Sequence, residues 1–171
     1  RRRTPRDKGF GTLWALIGSI VPVGLGVISF VEYGNLTRDW LHAAYGLAIG
    51  LVLFGAAYRF HSSSEPAFQR PVNILVVGSF LGFILTIHAL TNGLATTILI
   101  PLLGFIYVLG TRRRSWPALA WVMALALVIV LGRIAWEPTI VGPQNLGTTP
   151  VFNALLAGYG IPALLAVVSA W

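Results

Sequence analysis

The chain has 171 residues, with 12 Lys or Arg, 5 Asp or Glu, 3 His and no Cys. Charged residues make up 10 % and hydrophobic ones 56 %, whereas a soluble domain carries about a quarter charged residues; a water-facing surface cannot be covered, and soluble and disordered classes are excluded. Without Cys there are no disulfide frameworks, thiolate metal sites or Cys nucleophiles, and the distribution of the +7 net charge points to anionic lipid rather than nucleic acid.

A helix crossing a bilayer needs about 20 mostly apolar residues, and the sequence offers six charge-free runs. The first, Thr12–Val31, follows the basic stretch Arg1–Lys8 and is too long for the apolar region of a signal peptide. Pro22, with Gly18, Gly24 and Gly26, predicts a kink there. After the loop Glu32–Asp39 comes Trp40–Tyr58, holding Gly46-xxx-Gly50, and after His61–Pro71 comes Val72–Leu90, holding Gly78-xxx-Gly82. Glycines four apart share a helix face and let two backbones approach closely.

Thr91-Asn92-Gly93 is short enough to predict a tight hairpin into Leu94–Gly110, which contains Pro101. Thr111–Pro117 leads to Ala118–Gly132, extendable to Trp136. Glu137–Thr149, with Pro138, Gly142, Pro143 and Gly147, predicts an irregular loop or shallow re-entrant segment before the last run, Pro150–Ala170. That run carries Ala154-xxx-Gly158 and a mid-span Pro162. Strand alternation is absent, so the expected fold is all-α, a polytopic membrane protein of six transmembrane helices. It forms one transmembrane domain over 1–171. A start at Arg1 and an end at Trp171, closing an apolar run, predict a fragment of a longer membrane protein.

With six crossings, Arg1, Arg2, Arg3, Arg6, Lys8, Arg59, Arg70, Arg112, Arg113 and Arg114 fall on one side, and only Arg38 and Arg133 on the other. Basic excess marks the cytoplasmic face, so both ends are expected inside. Trp14, Trp116 and Trp171 then fall at the inner boundary and Trp40 and Trp136 at the outer one, with Trp121 a turn deeper. Arg1, Arg2, Arg3, Arg112, Arg113 and Arg114 are expected to face anionic lipid headgroups; no nucleic-acid partner is expected.

No Asp, Glu, Lys or Arg stands near the middle of a run, which argues against a proton pump or charged-substrate carrier. Ser19, Ser79 and Thr86 can satisfy themselves on their own helix backbone. His42, His61 and His88 make no ligand cluster by spacing, so no metal and no cofactor are expected. Arg133 and Glu137, four apart, can pair across one helix face as a clamp, with Asn153 as another target for the Arg. Glu32 and Asp39 occupy the first outer loop, the place where lipid-linked sugar transferases carry catalytic carboxylates. Asn35-Leu36-Thr37 matches a glycosylation sequon, a pattern too short to carry weight.

Leu131-Gly132-Arg133, Trp136-Glu137-Pro138, Thr149-Pro150-Val151-Phe152-Asn153 and Tyr159-Gly160-Ile161-Pro162-Ala163 follow in order. This series resembles the large, many-spanning bacterial membrane proteins grouped as domain of unknown function twenty-three thirty-nine, and Trp40–Phe60 resembles their recurring Trp-led span. The resemblance implies an inner-membrane protein with further spans outside this chain as neighbours, and no assigned activity. Arg133, Asn153, Tyr159 and Pro162 are the motif positions it carries over, holding the last two helices and their loop together. Glu137 departs from the pattern, standing where an Asn-like polar residue is expected. The expected role is a bacterial inner-membrane scaffold or other envelope role without catalytic residues. The rivals are a transporter module with Pro-broken helices and a lipid-linked sugar transferase.

Overall fold

The computed structural model describes residues 5–34, 38–61, 69–142, 149 and 153–170, and among them every regular element is helical. The helices are α1 (Pro5–Tyr33), α2 (Trp40–His61), α3 (Gln69–Leu90), α4 (Gly93–Gly110) and α5 (Pro117–Trp136). A short 3-10 turn, Pro138–Val141, follows; later a π turn, Leu156–Gly160, runs into α6 (Ile161–Ser169). Five helical stretches are long and apolar enough to cross a membrane: Gly11–Tyr33, Trp40–Phe60, Gln69–Leu90, Gly93–Gly110 and Pro117–Trp136. The last apolar helix, Leu156–Ser169, is shorter, and residues 150–152 of the sixth predicted run lie outside the described residues. So do Arg1–Arg3 and the Asn35–Thr37 sequon. Ile20, Leu51, Val52 and Val128 stand more than half exposed, an apolar exterior that suits lipid and not water.

The chain divides into two compact units, residues 1–90 with 116–118, and residues 91–115 with 119–171. In the first, α3 packs against both α1 and α2. The glycines set the distances. A methyl group at Gly46 would fall 2.8 Å from the Gly82 carbonyl oxygen and 2.9 Å from the Thr86 nitrogen. One at Gly82 would fall 2.9 Å from the Gly50 nitrogen. Backbone therefore meets backbone, as the two small-xxx-small spacings predict. Gly46 opposite Thr86, Gly50 opposite Gly82 and Leu53 opposite Gly78 make α2 antiparallel to α3. Gly11 opposite Pro71, Ser19 opposite Gly78 and Gly26 opposite Leu85 make α1 parallel to it.

Polar side chains within this unit serve the helices. Ser79 Oγ donates to Val76 O at 2.7 Å. Thr86 Oγ stands 3.2 Å from Gly82 O on its own helix and 3.2 Å from Ala43 O on α2, so its single hydrogen serves a seam between two helices. Ser19 departs from expectation. Its hydroxyl is buried and has no hydrogen-bond partner among the described residues. Trp116 departs too: it is 4 % exposed and packs against Phe54 with ring centroids 6.1 Å apart, rather than standing at a wet headgroup level. Trp14, Trp40, Trp121 and Trp136 are all exposed.

In the second unit α4 packs against α6 and the π turn. A methyl group at Gly104 would fall 2.9 Å from the Ala126 Cβ and 3.0 Å from the Met123 sulfur of α5. Gly93 opens α4 with φ +56°, a left-handed conformation that glycine adopts without a Cβ clash, and this permits a connection of only Thr91 and Asn92. Thr96 and Thr97 are fully buried, the first bonded to Thr91 Oγ at 2.9 Å and the second donating to Gly93 O at 3.1 Å.

The three mid-span prolines behave differently. α1 and α4 run uninterrupted through Pro22 and Pro101. At Pro162 the helix is remodelled: the turn before it widens to π geometry over Leu156–Gly160. A proline ring crowds the carbonyl four residues back and cannot donate to it; a π turn absorbs the misfit with an extra residue. Gly158 in that turn lies against Val141, where a side chain would not fit.

Gly82→Leu is expected to drive α2 from α3 and lower stability by about 1–3 kcal/mol or more. Gly55→Leu, where no atom lies within 4 Å, is expected to leave it nearly unchanged. Thermal unfolding in detergent measures both, and equal melting of the two variants would refute the glycine contact.

Candidate functional site: a polar clasp between α1 and α2

A hydrogen-bonded chain of three side chains joins the end of α1 to the start of α2. Asp39 immediately precedes α2, where the first helical N–H groups lack intrahelical partners. Its Oδ1 accepts from Leu41 N at 2.8 Å, and its carbonyl accepts from Ala43 N at 3.1 Å, so Asp39 is the N-cap of α2. Its own N–H donates to Ala89 O at 2.8 Å, fastening the α2 start to the last turn of α3. The second carboxylate oxygen lies 2.6 Å from His42 Nδ1, and His42 Nε2 lies 2.9 Å from Ser29 Oγ.

The partners fix the protons. An ionised Asp39 only accepts, so Nδ1 of the neutral ring carries its hydrogen and Nε2 accepts from the Ser29 hydroxyl. His42 is buried, with the Phe30 ring 5.5 Å away, while Asp39 is half-buried. The hydrogen bond from His42, then the one from the Leu41 amide, hold the Asp39 carboxyl below its ordinary value.

The order Asp–His–Ser has the polarity of a nucleophilic relay. Acyl transfer also needs donors aimed at a developing oxyanion, and the amides of Leu41 and Ala43 are engaged by Asp39. What these bonds supply is a clasp, and nearby Tyr45 adds to it by donating its hydroxyl to Pro22 O on α1 at 3.0 Å.

The residues singled out by sequence fall elsewhere. Asn153 caps the last helix: its Oδ1 accepts from Leu155 N at 3.0 Å and Leu156 N at 3.2 Å, and its Nδ2 donates to Thr149 O at 3.3 Å. Pro162 is buried behind the π turn, while Tyr159 is exposed. Arg133 is partly buried near the end of α5, with the exposed Glu137 following; Glu137 N donates to Arg133 O at 2.9 Å. Glu32 is exposed, and Asp39, the other acid of the first outer loop, is committed to the clasp. His88 lies on α3 and the side chain of His61 is outside the described set. Sequence reasoning missed the clasp. Asp39-x-x-His42 at the head of an apolar run is a helix-start signal, whereas the Ser29 contact crosses a loop and leaves no local pattern.

Two outcomes follow. A carboxyl held below its ordinary value stabilises fully above that value, and its contribution is lost as pH falls through the folded-state value. Melting of the wild type in detergent should therefore drop on acidification, and Asp39→Asn should remove that acid component; parallel acid profiles would contradict the clasp. Asn153→Ala should cost about 1 kcal/mol of stability and Asn153→Ser much less, read from the same melts; equal losses would deny the cap.

A family model described as a predicted membrane protein, DUF2339, matches residues 2–171. Neither a curated protein nor a solved structure matches significantly. With a match over essentially the whole chain and five helices long and apolar enough to span a bilayer, the chain belongs to the DUF2339 family of predicted membrane proteins.

Proposed function

We propose that this chain is a non-catalytic scaffold in the cytoplasmic membrane of a bacterium, a single membrane domain crossing six times with both ends inside. The observation that carries the reading is where the polar and small residues are used. Gly46, Gly50, Gly78 and Gly82 bring helices into contact, Ser79 and Thr86 bond to helix carbonyls, and Asp39, His42 and Ser29 tie two helices together. Side chains engaged in holding helices do not line a path for a charged substrate.

The six crossings follow from the charge distribution. α1 and α3 run parallel, so the chain leading into each starts from the same end of the first unit. The chain entering α1 carries Arg1, Arg2 and Arg3, Arg6 and Lys8 stand in the first turns of α1, and Arg70 in the first turn of α3. Arg112 and Arg113, exposed after α4, come to the same side of the bilayer when each of α1 to α4 crosses it once. The shorter Leu156–Ser169 helix is the sixth crossing in this reading. Anionic headgroups and the further spans of a longer family protein are the proposed neighbours.

Single-cysteine variants test the topology, since the chain has no Cys of its own. Arg3→Cys and Arg113→Cys are expected to react with an impermeant maleimide from the cytoplasmic side of oriented vesicles, and Arg38→Cys from the other. Labelling of Arg3→Cys and Arg113→Cys from opposite sides would overturn the crossing number.

A further inference from the structure

A groove of about 480 Å³ runs between α1 and α3, walled by Ile20, Val23 and Gly24 on one side and Ile74, Val77 and Leu81 on the other. We propose that it holds one acyl chain of an anionic glycerophospholipid, with the headgroup at Arg70 and Asn73.

Three features support this occupant. Ile74, Val77 and Leu81 form one helical row, and Arg70 continues it one turn earlier. Arg70 is exposed, so the apolar row ends in a cation where a phosphate would lie. Asn73, at the same end, lines the groove. Its Oδ1 accepts from Ala118 N at 3.4 Å, which leaves its N–H donors for a phosphate or ester oxygen.

Length fits as well. Arg70 to Leu81 spans about 16 Å at about 1.5 Å per residue, close to half of a hydrocarbon core about 30 Å thick. Because α1 and α3 are parallel, the groove follows both helices as a lipid tail does. A single hydrocarbon chain lies along a groove of that length. Ser19 and Gly78, which meet between the helices, also border the groove.

Two glycines of α1 make the test clean. Gly24 lines the groove with 4 Å of open space where a side chain would begin, so Gly24→Leu fills the space without a clash. Gly18 is equally open but does not line it, so Gly18→Leu is the control. The purified chain in mild detergent is incubated with phosphatidylglycerol or phosphatidylethanolamine, and retained lipid is counted by native mass spectrometry.

The wild type and Gly18→Leu are expected to retain one phosphatidylglycerol, preferred by about fivefold over phosphatidylethanolamine, the effect of roughly one cation at an anionic headgroup. Gly24→Leu should lower retention by roughly tenfold or more. Arg70→Gln should keep lipid binding but lose the preference. Wild-type retention in Gly24→Leu, the result also expected if another helix covers the groove, overturns the proposal. Equal loss in both Leu variants, or a preference unchanged in Arg70→Gln, does the same. The proposal needs α1 and α3 in lipid but not the scaffold role, so it can fail while the labelling pattern holds.

Discussion

The contact of α2 with α3 through bare backbone is the interaction on which the first unit depends. Two helices immersed in hydrocarbon gain nothing from hiding Leu or Val from oil, because lipid tails are as apolar as those side chains. Their association has to come from close packing and from polar atoms with nowhere else to go. Gly46, Gly50 and Gly82 remove the side chains that would hold the axes apart. The carbonyls of Gly82 and Ala43 then come within reach of the Thr86 hydroxyl, which would otherwise serve one helix alone. Gly78 repeats the device toward α1, where Ser19 is the close neighbour. One helix thus gathers two partners.

The clasp at the α1–α2 junction follows from the same scarcity of water. An N-cap carboxylate at the head of a membrane helix satisfies an amide that the bilayer cannot. Its second oxygen would remain unpaired without His42, and His42 in turn places Nε2 against Ser29. Each group answers a need created by its neighbour, and the outcome is a fixed angle of entry into α2. The second unit meets a different difficulty, a proline within a short helix. It widens one turn to π geometry, places Gly158 against Val141 and caps the start with Asn153.

Much of this architecture was legible in the sequence because lipid imposes a coarse rule. Charge-free runs of sufficient length marked each helix that the structure describes, and the two glycine spacings marked the α2–α3 face. Asn153 and Pro162 stood out as motif positions, and each has a local task. Other features were hidden for identifiable reasons. Pro22 and Pro101 lie inside continuous helices, because a proline breaks a helix only where its surroundings cannot accommodate the lost bond. The burial of Trp116 depends on Phe54, far away along the chain. The clasp depends on Ser29, thirteen residues before His42, and no periodicity of either helix announces that contact.

The central claim is that α2 and α3 touch backbone to backbone at Gly50 and Gly82. Nuclear Overhauser spectroscopy of the chain in detergent micelles, with glycine labelled, reads this contact directly. The account predicts cross-peaks between the α-protons of Gly82 and those of Gly50. Cross-peaks from the Gly82 α-protons to detergent acyl chains, with none to Gly50, would contradict it.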